Sequence, residues 1–263
     1  MQDQVSAADR AATMLARMRR PVPMPPRPQD AALLAGFDAF RFGPDDSRQG
    51  WAVGQGPLVL LQHGWGGRGS QMAGLARSLA GRGFRCILFD VGGHGLSAPA
   101  PLGFDGFIAD ADLLARFAGQ AVHGWIGHSA GGLGMMAARA LRGIAARRYV
   151  CIATPLYPYI PLRMMRAEGV GDDVVEQAKP ILAAQFAADW PDLEAGSAYR
   201  PEPGADLLLV YDRADDMVDH EDADRIAALW PGAETLKTSG HGHNRVLVAP
   251  EVLARAGDFL AAG

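Results

Sequence analysis

Little in this sequence belongs to a metal, redox or membrane protein. It has only 2 cysteines, Cys86 and Cys151. Each falls inside an apolar run of strand character, so both read as small core side chains and not as a disulfide or redox pair. Neither has metal-ligand spacing, and His241 and His243 stand alone without a further His/Cys cluster, which argues against zinc. No metal or organic cofactor is expected. No run approaches the roughly 18 consecutive apolar residues of a membrane span. The N-terminal stretch also lacks the continuous apolar core of a signal peptide. The expectation is a cytoplasmic protein with no stable membrane insertion. An excess of positive charge is missing too: the formal net charge is −4, which disfavours nucleic acid or an anionic surface as partner.

What remains is the composition of one large α/β unit. Hydrophobic residues make up 49% of 263 positions, enough for a sizeable core, and 33 glycines and 18 prolines suit many tight turns. Residues 37–42 and 50–53 alternate like an antiparallel leading pair. Apolar strand runs then alternate with helical stretches: strand 57–62, helix 70–82, strand 85–90, helix 105–119, strand 122–127, helix 130–142 and strand 149–153. The alternation resumes with strand 206–211, helix 220–230, strand 233–238 and helix 248–261. This order predicts a mostly parallel central sheet with helices on both faces, whose ligands bind beyond the carboxyl ends of the strands.

At the end of the 122–127 strand stands Gly127-His128-Ser129-Ala130-Gly131, followed at once by helix-forming sequence. A strand entering a Gly-x-Ser-x-Gly turn and leaving as a helix forces the serine into strained backbone and pushes its hydroxyl out at the sheet's edge. Glycine is needed at 127 and 131 because a side chain at either place would strike the neighbouring strand or helix. The helix beginning near Ala130 aims free N–H groups and its positive dipole end at the same spot. Ser129 is therefore the candidate nucleophile. Upstream, strand 57–62 ends in His63-Gly64-Trp65-Gly66-Gly67. The backbone N–H groups of Trp65 and Ala130 are the candidate oxyanion hole, with His63 holding the loop by a side-chain hydrogen bond.

An acid and a base follow in order. After strand 206–211 the chain reads Asp212-Arg213-Ala214-Asp215-Asp216-Met217-Val218, with three carboxylates among which the residues alone leave the choice open. After strand 233–238 comes Ser239-Gly240-His241-Gly242-His243-Asn244, with two histidines.

These segments, together with Asp90-Val91-Gly92-Gly93-His94-Gly95-Leu96-Ser97, resemble the α/β-hydrolase superfamily, from about Phe37 to the C-terminus. The resemblance implies an α/β-hydrolase fold with the triad Ser129, Asp215 and His243. In that family the acid stands three residues before a buried valine, here Val218, and the base ends a Gly-x-Gly-His pattern. A serine at the elbow departs from the dehalogenase and epoxide hydrolase branches, which carry aspartate there.

Residues 154–204 exceed an ordinary crossover between strands and read as a small helical cap inserted after the sixth strand. Trp65, His128, Tyr157, Tyr159 and Met164 are the candidate substrate-binding residues, forming an apolar acyl or alcohol pocket. Residues 1–30 read as an N-terminal helix and Pro-rich arm, 31–153 and 205–263 as the two parts of the core. The helix carries a stripe of Ala11, Met14, Leu15 and Met18, suited to docking on the body, on a second subunit in a possible homodimer, or over the site as a flap.

The function expected is a serine hydrolase of carboxylic esters with small to medium apolar acyl groups, acting on a small-molecule ester substrate. The same triad serves thioesterases, C–C bond hydrolases and acyltransferases, and a non-catalytic binding protein could keep the same pocket.

Overall fold

The computed structural model describes residues 5–21 and 27–262. The strands are β1 (Asp38–Phe42), β2 (Arg48–Val53), β3 (Leu58–Gln62), β4 (Arg85–Asp90), β5 (Val122–His128), β6 (Ala146–Ile152), β7 (Asp206–Asp212) and β8 (Glu234–Thr238). They form one sheet in the order β1-β2-β4-β3-β5-β6-β7-β8. The leading pair is antiparallel and β2 joins β4 antiparallel, while β3 to β8 run parallel. The helices are α1 (Ala7–Met18), α2 (Pro28–Leu33), α3 (Ala73–Ala80), α4 (Phe104–Ala118), α5 (Ala130–Arg142), α6 (Ile160–Ala167), α7 (Asp172–Ala184), α8 (Trp190–Glu194), α9 (Asp222–Leu229), α10 (Gly242–Arg245) and α11 (Pro250–Ala261).

The continuous apolar character of the central strands follows from burial on both faces. In β3, Leu58 and Leu60 face one core layer and Val59 and Leu61 the other, the period of two that a pleated strand imposes. The same alternation puts Cys151 in the first layer and Cys86 in the second, on opposite faces of the sheet. Both are free, and burial pushes each thiol up to about 12, so they act as core hydrophobes.

Several element ends differ from expectation. β6 begins at Ala146, three residues before the apolar run that marks it, because Ala146 and Arg148 pair with β5 despite the charge of Arg148; its guanidinium is satisfied by the Leu260 carbonyl at 3.0 Å. The stretch expected to be an extended arm as far as residue 30 turns helical at Pro28, whose fixed φ suits the first position of α2. The proline-rich part at 22–26 lies outside the described residues. Asp30 on α2 is buried and bridges the body: it accepts from Ser70 Oγ at 2.8 Å and pairs with Arg68 at 2.7 Å. Between β6 and β7 the chain leaves the sheet as α6, α7 and α8. α1 packs on α7. No helix among the described residues is long and apolar enough to cross a membrane.

Candidate active site

β5 lies in the middle of the sheet and ends at a sharp turn. Ser129 there has φ 52° and ψ −125°, a left-handed region costly for any residue with a Cβ, on the order of 1–3 kcal/mol. The backbone on either side holds it. Ser129 N–H donates to the Ile152 carbonyl of β6 at 2.9 Å, and Gly132 N–H donates to the Ser129 carbonyl at 3.0 Å. Space enforces the glycines: a Cβ on Gly127 would lie 2.3 Å from Gly132 Cα, and one on Gly131 would lie 2.2 Å from the His63 carbonyl oxygen. α5 leaves from this turn at Ala130, so its first N–H groups point at the serine.

The loop after β3 approaches from the neighbouring strand, with Gly64 against Ser129. His63 is fully buried. Its Nδ1–H donates to the Gly64 carbonyl at 2.7 Å and its Nε2 accepts from Val91 N–H at 3.0 Å. Burial holds this imidazole well below its ordinary value, so it is a neutral brace for the loop. Gly66 N–H is committed to His94 Nε2 at 3.1 Å and Gly67 N–H to the Gly64 carbonyl at 3.0 Å. Trp65, between them, lays its ring against Phe104 and Phe107 and, like Ala130, lines the cavity above Ser129. Asp90, the last residue of β4, accepts from Gly69 N–H and Leu96 N–H at 2.7 Å each. Burial nevertheless pushes its carboxyl up to about 6.

The three carboxylates after β7 separate by geometry. Asp215 Oδ2 accepts from His243 Nδ1 at 2.8 Å, while its Oδ1 accepts from Met217 N–H at 2.8 Å and Val218 N–H at 2.9 Å. Its side chain is buried although its backbone is not. The spacing to the buried Val218 thus has a physical basis: the tight turn that brings the valine inward supplies the amide that orients the carboxylate. Asp212 is fully buried at the end of β7 and faces only donors. It takes bonds from Ala214 N–H (2.9 Å), Gly242 N–H (3.0 Å), His241 N–H (3.2 Å) and Thr238 Oγ1 (2.7 Å). These bonds hold its carboxyl at about 2 against the opposing effect of burial. Asp212 therefore latches the loop after β8 to the end of β7, a role the sequence reading missed. Asp216 is exposed. His241 turns away to Glu251 at 2.7 Å.

The expected loop after β8 is partly helical: Gly240 (φ 87°) and Gly242 (φ 69°) turn the chain into α10, which carries His243 to the cavity. His128, just before Ser129, is buried and donates from Nε2 to the His243 carbonyl at 2.9 Å. Burial first, and then the facing imidazole of His243, lower its pKa to about 4. A neutral folded-state His128 with an unfolded value near 6.5 makes stability fall as pH drops from about 6.5 to about 4, by up to about 3 kcal/mol. The melting-temperature gap between the protein and His128→Gln should therefore narrow over that interval. Parallel curves would remove this assignment.

Ser129 and His243 open into a cavity of about 460 Å³, walled by Trp65, Phe104, Met164, Leu182 and Met217 among others. Trp65, His128 and Met164 line it as expected. Tyr157 and Tyr159 do not, and those two assignments are corrected. Tyr159 OH donates to Asp222 Oδ2 at 2.8 Å, and Tyr157 stacks edge-on against Trp190 at 5.7 Å. A polar tip needs a partner when buried, and Asp222 behind the insertion supplies one. Leu15 and Met18 from the stripe of α1, with Arg19 at the end of that helix, also line the cavity.

The model of a family described as "alpha/beta hydrolase fold" matches residues 57–179. The chain is 29% identical over 161 residues to a non-heme haloperoxidase of Rhodococcus erythropolis, covering 59% of this chain and 57% of that protein. It is 48% identical over 65 residues to the pimeloyl-[acyl-carrier protein] methyl ester esterase of Chromobacterium violaceum, covering 24% of each. The matches thus span about half of the first relative and a quarter of the second. Among solved structures, the carboxylesterase CesB (YbfK) of Bacillus subtilis superposes with a TM-score of 0.64 at 18% identity, over 98% of this chain and 100% of that one. Sheet order, the strained turn after β5 and these likenesses agree: the chain has the α/β-hydrolase fold.

Proposed function

We propose that this protein is a serine hydrolase that cleaves carboxylic esters of small to medium apolar acyl groups through an acyl-enzyme. The observation that carries the reading is the convergence, in one apolar cavity, of a strained Ser129 at the head of α5 with His243, whose Nδ1 is held from behind by Asp215. Asp215 accepts a hydrogen bond from His243 Nδ1–H, which leaves Nε2 free of hydrogen as a base. His243 takes the Ser129 proton as Oγ attacks the ester carbonyl, then delivers it to the departing alcohol. The N–H groups of Trp65 and Ala130 receive the oxyanion, each worth roughly 3 kcal/mol of barrier. Water, activated by the same histidine, then frees the acid.

The residues between β6 and β7 act as the cap: Ile160, Met164 and Leu182 from α6 and α7 close the cavity over Ser129. Three methionines at its walls (Met18, Met164 and Met217) give it an adaptable apolar surface, which favours uncharged acyl chains. Hydrolysis of p-nitrophenyl esters from acetyl to palmitoyl tests the reading. Turnover is expected to peak at short to medium chains. No turnover with any ester, alongside phosphonate labelling of Ser129, would move the substrate class to thioesters or C–C bonds.

A further inference from the structure

One wall of the cavity comes from neither the sheet nor the insertion. It is α1, whose Leu15, Met18 and Arg19 line the same space as Ser129 and His243. α1 lies outside the stretch matched by the family model and more than a hundred residues from the elbow in sequence. Its inward stripe is built for this position: Ala11 and Leu15 are buried, and Met14 and Met18 pack partly buried against the same core layer. Its outward side is fastened to three places. Arg10 pairs with Asp173 at 2.8 Å and Arg17 with Glu168 at 2.6 Å, both on the insertion, while Arg19 pairs with Asp105 on α4 at 2.8 Å. The Arg19 carbonyl accepts from Leu102 N–H at 2.8 Å.

A helix of 12 residues does not hold its shape in water unaided, and exposed ion pairs contribute little singly. The docked position is therefore set by the apolar stripe, and the arginines fix its register. Arg19, the one charged side chain of α1 at the cavity, has its guanidinium held at Asp105. What α1 offers the interior is the faces of Leu15 and Met18.

We propose that α1 is the specificity wall of this site: Leu15 and Met18 contact the far, apolar end of the acyl chain, and the bulk at position 18 sets the longest chain accepted. The proposal rests on Ser129 being the nucleophile. It refines the apolar-ester reading by assigning the length limit to the N-terminal helix and not to α6 or α7. Leu15 and Met18 are specificity residues; neither is given a part in the chemistry.

The test uses the full chain and p-nitrophenyl ethyl alkylphosphonates whose alkyl group on phosphorus is methyl, octyl or dodecyl. Ser129 Oγ forms the new O–P bond, the bond to p-nitrophenolate breaks, and the serine proton passes through His243 to solvent. Labelling rates are read from p-nitrophenolate release, with the adduct located on Ser129 by mass spectrometry. Met18→Trp is expected to lower the octyl-to-methyl rate ratio at least tenfold. Met18→Ala and Leu15→Ala are expected to raise the dodecyl-to-octyl ratio severalfold, and these two carry the test if the tryptophan displaces α1. Ratios within twofold of the parent protein in all three variants, with Ser129 still labelled, would overturn the wall and leave the serine reading standing. Failure of every phosphonate to label Ser129 in the parent protein would bring down both.

Discussion

Ser129→Ala is expected to lower ester turnover by on the order of 10⁵-fold or more, with the melting temperature within about 3 °C of the parent. The two halves of that expectation have separate causes. The hydroxyl is the only group at this position that can form the acyl-enzyme, so its loss removes the covalent route; only the contribution of binding and the oxyanion donors remains. The fold, by contrast, uses the backbone of residue 129, through the bonds to Ile152, Gly132 and Leu133. Alanine keeps those bonds and carries the same left-handed strain as serine. Undiminished turnover in this variant would remove the proposed mechanism, and a collapse of stability would mean that the hydroxyl is a structural group.

The second large effect distinguishes two aspartates three residues apart. Asp215→Asn should cost about 10⁴-fold in kcat with little change in stability, because an amide facing His243 Nδ1 favours the wrong imidazole tautomer. Asp212→Asn should do the opposite. Asp212 is surrounded by four donors, and an amide nitrogen turned toward them leaves buried N–H groups unsatisfied. The loss is about 3 kcal/mol, or roughly 6–12 °C of melting temperature. The sign with pH follows from its depressed carboxyl. The stabilisation by Asp212 is fully present above the unfolded value near 4 and is lost as pH falls toward about 2. Activity in the pair of variants is read beside thermal unfolding. If Asp212→Asn melted normally but lost turnover while Asp215→Asn worked, the acid would be Asp212.

The contrast shows which information is local in this chain. The elbow at Ser129 was legible because its requirements are steric and confined to neighbours in sequence: a buried strand, glycines where Gly132 and the His63 carbonyl leave no room, and a helix that starts at once. The sheet was legible for a similar reason, since burial on both faces writes each strand as an apolar run. The three aspartates were not separable by their own surroundings in sequence. What divides Asp212 from Asp215 is the loop after β8, some thirty residues further on, and only the assembled fold shows which carboxylate meets a ring and which meets amides. Tyr157 and Tyr159 were misplaced because aromatic residues near a site suit a pocket as well as they suit packing; Asp222, far along the chain, decides the matter. α1 is the same lesson at longer range. Its stripe was visible, but a stripe does not name the surface it will meet.

The parts of the site also differ in how firmly the sheet retains them. Ser129 follows β5, which has strands on both sides, whereas His243 follows β8, the last strand in the order, with Glu234 and Thr235 exposed. Edge segments with few buried contacts open in excursions far smaller than global unfolding. Detachment of β8 would carry the histidine away while β5, α5 and most of the core stayed intact. The Asp212 latch is what opposes that opening. Thermal or denaturant inactivation is therefore expected to precede loss of secondary structure, with amides of β8 exchanging faster than those of β5.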